Sequence, residues 1–128
     1  MNKRIIIIAS VFGLLAVILG AFGAHSLKQH ISPANLQVWN TGVQYQFYHT
    51  MALLFLSTFS RFRTRTINAA SWFFTAGVIC FSGSLYLLAT KEILNLSWIS
   101  VLGPVTPIGG LFFILGWLGL LLATLKNK

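Results

Sequence analysis

Acidic residues are almost missing from this chain: among 128 residues, Glu92 is the single Asp or Glu. Charge of either sign is scarce. Asp, Glu, Lys and Arg make up 8% of the residues, where a soluble globular domain carries about 25%. Without that polar surface, water is the wrong solvent for most of the molecule. The lone cysteine, Cys80, lies inside an apolar run, which excludes an intrachain disulfide and a thiolate metal cluster. No HxxxH or CxxC spacing is present, so no metal or other cofactor is expected. Nucleophile, base and orienting acid are not assembled anywhere in the sequence, which argues against an enzyme and leaves no catalytic residue to nominate. Nine Lys and Arg leave a net charge of +8. They sit at the ends of apolar runs, with no basic face and no nucleic-acid-binding motif, so nucleic acid is not an expected partner.

What is abundant is hydrocarbon: 56% of the residues are hydrophobic. They gather in segments at roughly 5–24, 43–60, 69–90 and 108–125. Each is close to the ~20 residues that carry a helix across a hydrocarbon core of about 30 Å. A barrel would show shorter segments of alternating polarity. The pattern predicts an all-α fold, a polytopic bundle of four transmembrane helices forming one integral membrane domain over residues 1–128. The first segment also has features of a secretory signal, with Lys3-Arg4 before it and Ala21, Gly23 and Ala24 at its end. It exceeds the roughly 7–15 residues of a signal core, which favours a retained helix.

Basic residues orient such a bundle. Lys3, Arg4, Arg61, Arg63, Arg65, Lys126 and Lys128 fall on one side if four helices cross, against Lys28 and Lys91 on the other. Both termini are therefore expected in the cytoplasm, with the chain in the cell (inner) membrane. Ser32-Pro33 reads as an N-cap followed by proline in the first turn, and Thr106-Pro107 repeats the pattern. From Pro33, apolar Leu36, Trp39 and Val43 recur beside polar Gln37, Asn40 and Gln44. This predicts a short amphipathic helix at the outer interface before the second span, either bent near Gly42 or running straight on. Trp39, Tyr45, Tyr48 and Trp98 suit an outer aromatic belt and Trp72 an inner one.

Lipid is as apolar as leucine, so helices in it associate through close packing of small residues. Gly13 and Gly20 in the first segment, and Gly109 and Gly116 in the fourth, recur at seven-residue spacing and mark helix-packing lanes. Spacing leaves open whether the partner helix belongs to this chain or to another copy.

Four stretches, GAFGAHSLK (20–28), TGVQYQFYHTMALL (41–54), FSGSLYLLA (81–89) and GPVTPIGG (103–110), together resemble one family of small four-helix membrane proteins. It is the domain of unknown function 423 family, which includes human transmembrane protein 256 and bacterial inner-membrane relatives. The resemblance spreads over nearly the whole chain. It implies a retained first helix and four spans, and it brings no established activity, cofactor or catalytic residue.

Four polar residues form a candidate cluster at the outer end: His25 closing the first span, Gln46 and His49 opening the second, and Glu92 after the third. Gln46 and His49 share a helix face. Polar groups at membrane depth are costly and usually face the bundle interior. Three readings are open: hydrogen bonds that lock the first two helices together, a site for a small ligand, metal or haem, and a proton or solute pathway. The first is favoured, because interhelical polar bonds are a common membrane glue. It predicts a buried, neutral His49 bonded across helices to a group near His25. The expected function is an accessory, scaffolding or homo-oligomeric membrane component, with the lipid bilayer and itself or another membrane protein as partners. The alternative is a transporter or channel component for a small solute, ion or lipid.

Overall fold

The computed structural model describes residues 2–59 and 65–126. Arg61, Arg63 and Lys128, three of the charges used for orientation, lie outside them. Helix α1 runs Lys3–His25, α2 Pro33–Ser57, α3 Arg65–Gly77, α4 Gly83–Ala89 and α5 Val105–Lys126. A single π-turn, Val78–Ser82, joins α3 to α4 without a break, and short 3-10 turns cover Leu27–Gln29 and Ser97–Leu102. The described residues thus form four long helical rods with no strand. Three stretches are long and apolar enough to cross a membrane: Lys3–Gln29, Arg65–Ala89 and Ser97–Lys126. Helix α2 is as long but carries Gln37, Asn40, Gln44, Gln46 and His49, and it falls short of that apolarity.

Of the two courses expected from Pro33, bent near Gly42 or running straight on, the chain takes the second. Pro33–Ser57 is one helix. Ser32 caps it, its hydroxyl accepting from Asn35 N–H at 3.2 Å, as the Ser-Pro pair predicted. Gly42 does not interrupt it; its missing side chain lets Tyr86 approach, 2.9 Å from where a Cβ would stand. The second pair behaves differently. Helix α5 begins at Val105, so Thr106 lies inside it rather than capping it. Pro107 still falls in the first turn, where the missing N–H has no partner to lose. Asn2 caps α1 through Ile5 N–H at 3.3 Å.

The chain folds as two paired units, α1 with α2 and α3–α4 with α5, joined where α2 lies along α4 and the π-turn. Asn2 N–H donates to Ser57 O at 3.1 Å, so the start of α1 meets the end of α2. Beside them Arg4 donates to Asn68 Oδ1 at 2.6 Å and Ser71 Oγ at 3.0 Å and lies 4.5 Å over the Trp72 ring. At the opposite end a turn at Asn95, in the left-handed region at φ 51°, returns the chain toward α5.

The core is narrow. Ile5, Leu53, Leu56, Phe74 and Phe113 are buried along its axis, while Leu14, Val17, Ile79, Ile114 and Leu125 stand more than 60% exposed. An outward apolar surface of this kind is suited to lipid.

Glycine sets the spacing. A Cβ at Gly109 would stand 2.4 Å from the backbone nitrogen of Phe81, and one at Gly116 2.6 Å from the Phe74 ring. These two glycines let α5 lie directly on α3 and the π-turn. Gly13 and Gly20 of α1 face Thr50 and Val43 of α2, whose methyl groups each lie 3.3 Å from where a Cβ would stand. The lanes read from spacing therefore face helices of this same chain.

Candidate functional site

The polar residues that matter lie in the middle of the bundle. Since α2 starts at Pro33, His49 is 16 residues along it, about 24 Å from its outer end. It does not sit in the opening turns of a span, as expected from a helix beginning at Val43. Gln46 and His49 share one buried face of α2. His25 is exposed at the end of α1 and Glu92 is exposed in the turn after α4. The expected four-residue cluster is thus not assembled: two members are brought together, and two remain at the outer surface.

His49 bonds across helices, but not to the end of α1. The indole N–H of Trp117, on α5, donates to His49 Nε2 at 3.1 Å. Indole can only donate, so Nε2 is unprotonated and Nδ1 carries the proton. Nδ1 then donates to Tyr45 O, one turn back on the same helix, at 2.7 Å. Both ring nitrogens of a neutral imidazole are thereby used. The ring lies on Phe113 with centroids 3.6 Å apart and planes within 7°, and Phe74 meets it at 5.4 Å. No lone pair is left for a metal. Among the described residues no three His, Cys, Asp or Glu side chains gather at one point.

Gln46 joins three helices. Its Nε2 donates to Phe12 O of α1 at 2.8 Å, and its Oε1 accepts from the Tyr86 hydroxyl of α4 at 2.6 Å. One turn outward, Ser82 in the π-turn donates to Gly42 O at 2.6 Å. Trp39, expected in the outer belt, is instead buried. Its N–H donates to Leu19 O of α1 at 2.9 Å, and its ring packs on Tyr86 at 4.7 Å. Ser84 and Thr106 hydroxyls meet at 2.6 Å between α4 and α5. Each of the eight buried polar side chains among the described residues has a hydrogen bond within the chain.

Trp117 and Tyr86 are the residues that the sequence reading missed. A signal was present for Trp117, which stands well inside an apolar segment, where a polar tip needs a partner; Tyr86, four residues from the end of its segment, reads equally as a belt residue.

The chain is 45% identical to a UPF0382 membrane protein of Staphylococcus aureus over 124 residues, 97% of each chain. It is 42% identical to the UPF0382 membrane protein YwdK of Bacillus subtilis over 126 residues, 97% of this chain and 98% of the relative. A UPF0382 membrane protein of Staphylococcus haemolyticus is 42% identical over 124 residues, again 97% of each. No solved structure matches the chain significantly. The family model described as "Protein of unknown function (DUF423)" matches residues 19–110, and with relatives this similar over nearly their full length the chain belongs to the DUF423 family.

Proposed function

We propose that this small membrane protein crosses the bacterial cell membrane four times, with both termini in the cytoplasm, and acts as an accessory or scaffolding component rather than as an enzyme. One observation carries the reading: the buried Gln46, His49 and Ser82 side chains are bonded within the chain, while the outer surface is apolar. A molecule built this way meets its partners through its lipid-facing surface. Helix α2 counts as a span because its polar residues Gln46 and His49 face inward. At 25 residues it is about 37 Å long, and its outward residues include Phe47, Met51 and Phe55. The basic residues near the start of α1, the start of α3 and the end of α5 support a cytoplasmic location for that end.

Full-length protein extracted in mild detergent tests the scaffolding role. A defined stoichiometric complex, with itself or with a second membrane protein, is expected after crosslinking in intact cells. A monomer in the cell membrane that transports a solute after reconstitution would replace this reading with the transporter one. A reporter fused at Lys126 tests the topology, and periplasmic activity there would overturn it.

A further inference from the structure

A groove of about 380 Å³ runs between α3 and α5 at the end of the bundle where α3 begins and α5 ends. Ala69, Ala70, Phe73, Leu118 and Leu122 form its apolar walls, and Arg65 with Thr66 stands at its mouth. Gly119 lines it beside Ala70, and a Cβ there would reach only ordinary contact with Ala70, at 3.4 Å, so a larger side chain at this position would extend into the groove. On the facing helix Lys126 lies one turn beyond Leu122, on the same side of α5. Two cations thus bracket the end of an apolar trough.

Neither cation has an acidic side chain to pair with. Glu92 is the only acid in the chain, and it lies beyond the far end of the Arg65–Ala89 rod, about 37 Å away for 25 helical residues. Arg65 is exposed and has no side-chain bond among the described residues, unlike Arg4, which is held by Asn68, Ser71 and the Trp72 face. An anion from outside the chain can stand between them. A guanidinium and an ammonium at the membrane surface match a phosphate group, and the trough below them matches a hydrocarbon tail.

We propose that this groove is a binding site for an anionic phospholipid of the cytoplasmic leaflet. One acyl chain lies between α3 and α5, and the head-group phosphate rests between Arg65 and Lys126. The leaflet assignment rests on the topology proposed above; the binding itself does not, and it is measured separately from the reporter fusion.

The test uses full-length protein in detergent and native mass spectrometry, with dioleoyl phosphatidylglycerol or dioleoyl phosphatidylcholine added at equal concentration. The wild-type protein should retain phosphatidylglycerol in preference, less so as salt is raised. Arg65→Gln and Lys126→Gln should each weaken that binding about fivefold, the worth of one basic residue at an anionic lipid surface. Lys91→Gln, at the other end, should leave it unchanged. Gly119→Leu should exclude the lipid by filling the trough. If that variant fails to fold, Arg65→Gln decides the matter, since its exposed side chain has no internal bond to lose. Equal retention of the two lipids would overturn the proposal. So would a Lys91→Gln loss as large as that of Arg65→Gln, or saturable binding of inorganic phosphate without lipid.

Discussion

At the residue scale, His49 owes its state to its neighbours. In isolation an imidazole can take either tautomer or a second proton; beneath Trp117 only the neutral form with the proton on Nδ1 satisfies both bonds. Trp117→Phe keeps an aromatic ring and removes the donor. It should cost about 0.6–1.7 kcal/mol, the range of interhelical bonds in membranes, read as a lower melting temperature in detergent. A double-mutant cycle with His49→Phe should return a coupling of about that size; additive effects would show that the contact contributes nothing. Gln46→Leu should be worse than Tyr86→Phe. The first strands the Tyr86 hydroxyl and gives up the bond to Phe12 O, whereas the second leaves Gln46 still bonded to α1. A reversed order would remove Gln46 from its place as the joint of three helices.

At the element scale, the glycines separate into those that set a helix distance and those that do not. Gly109→Ala puts a methyl 2.4 Å from backbone in the π-turn, and backbone cannot step aside as a flexible side chain can. It should destabilise the α3–α5 pair by about 1–3 kcal/mol. Gly83→Ala has nothing within 4 Å to meet. It should be neutral or stabilise by up to about 1 kcal/mol, because alanine favours a helix interior over glycine. Thermal unfolding of the two variants side by side checks the contrast, and equal losses would contradict the packing described. The spacing of Gly109 and Gly116 was legible in the sequence. The tolerance of Gly83 was not, since its place on the helix relative to α5 depends on the π-turn that precedes it.

At the scale of the whole molecule, the two paired units meet through the Gln46–Tyr86, Gly42–Ser82 and His49–Trp117 bonds, the Arg4 bonds to α3 and the Trp39–Tyr86 ring contact. Helices that are each stable in lipid can associate after insertion. Fragments 1–62 and 63–128, expressed together, should therefore co-purify from membranes. Combining Gln46→Leu with Ser82→Ala should weaken that association, because it removes the side-chain bonds from α2 to the π-turn and α4. Retention of the pair at wild-type yield by the double variant would show that these bonds do not hold the units together.

Composition and hydropathy by themselves determined that this chain is helical and membrane-bound, because solvent preference is a property of each segment and needs no tertiary contact to read. The cap at Ser32 and the small-residue lanes are likewise local patterns, and they stand in the sequence. The polar residues were also visible, and their depth implied that they must be bonded. Which groups they bond to was decided only by tertiary structure. The start of α2 at Pro33 rather than Val43 moved Gln46 and His49 from the outer end to the middle of the bundle. The rotation of α4 and α5 about their axes then brought Tyr86 and Trp117 to them and left His25 and Glu92 outside. Helix register and rotation arise from packing between helices, and spacing along one chain segment does not contain them.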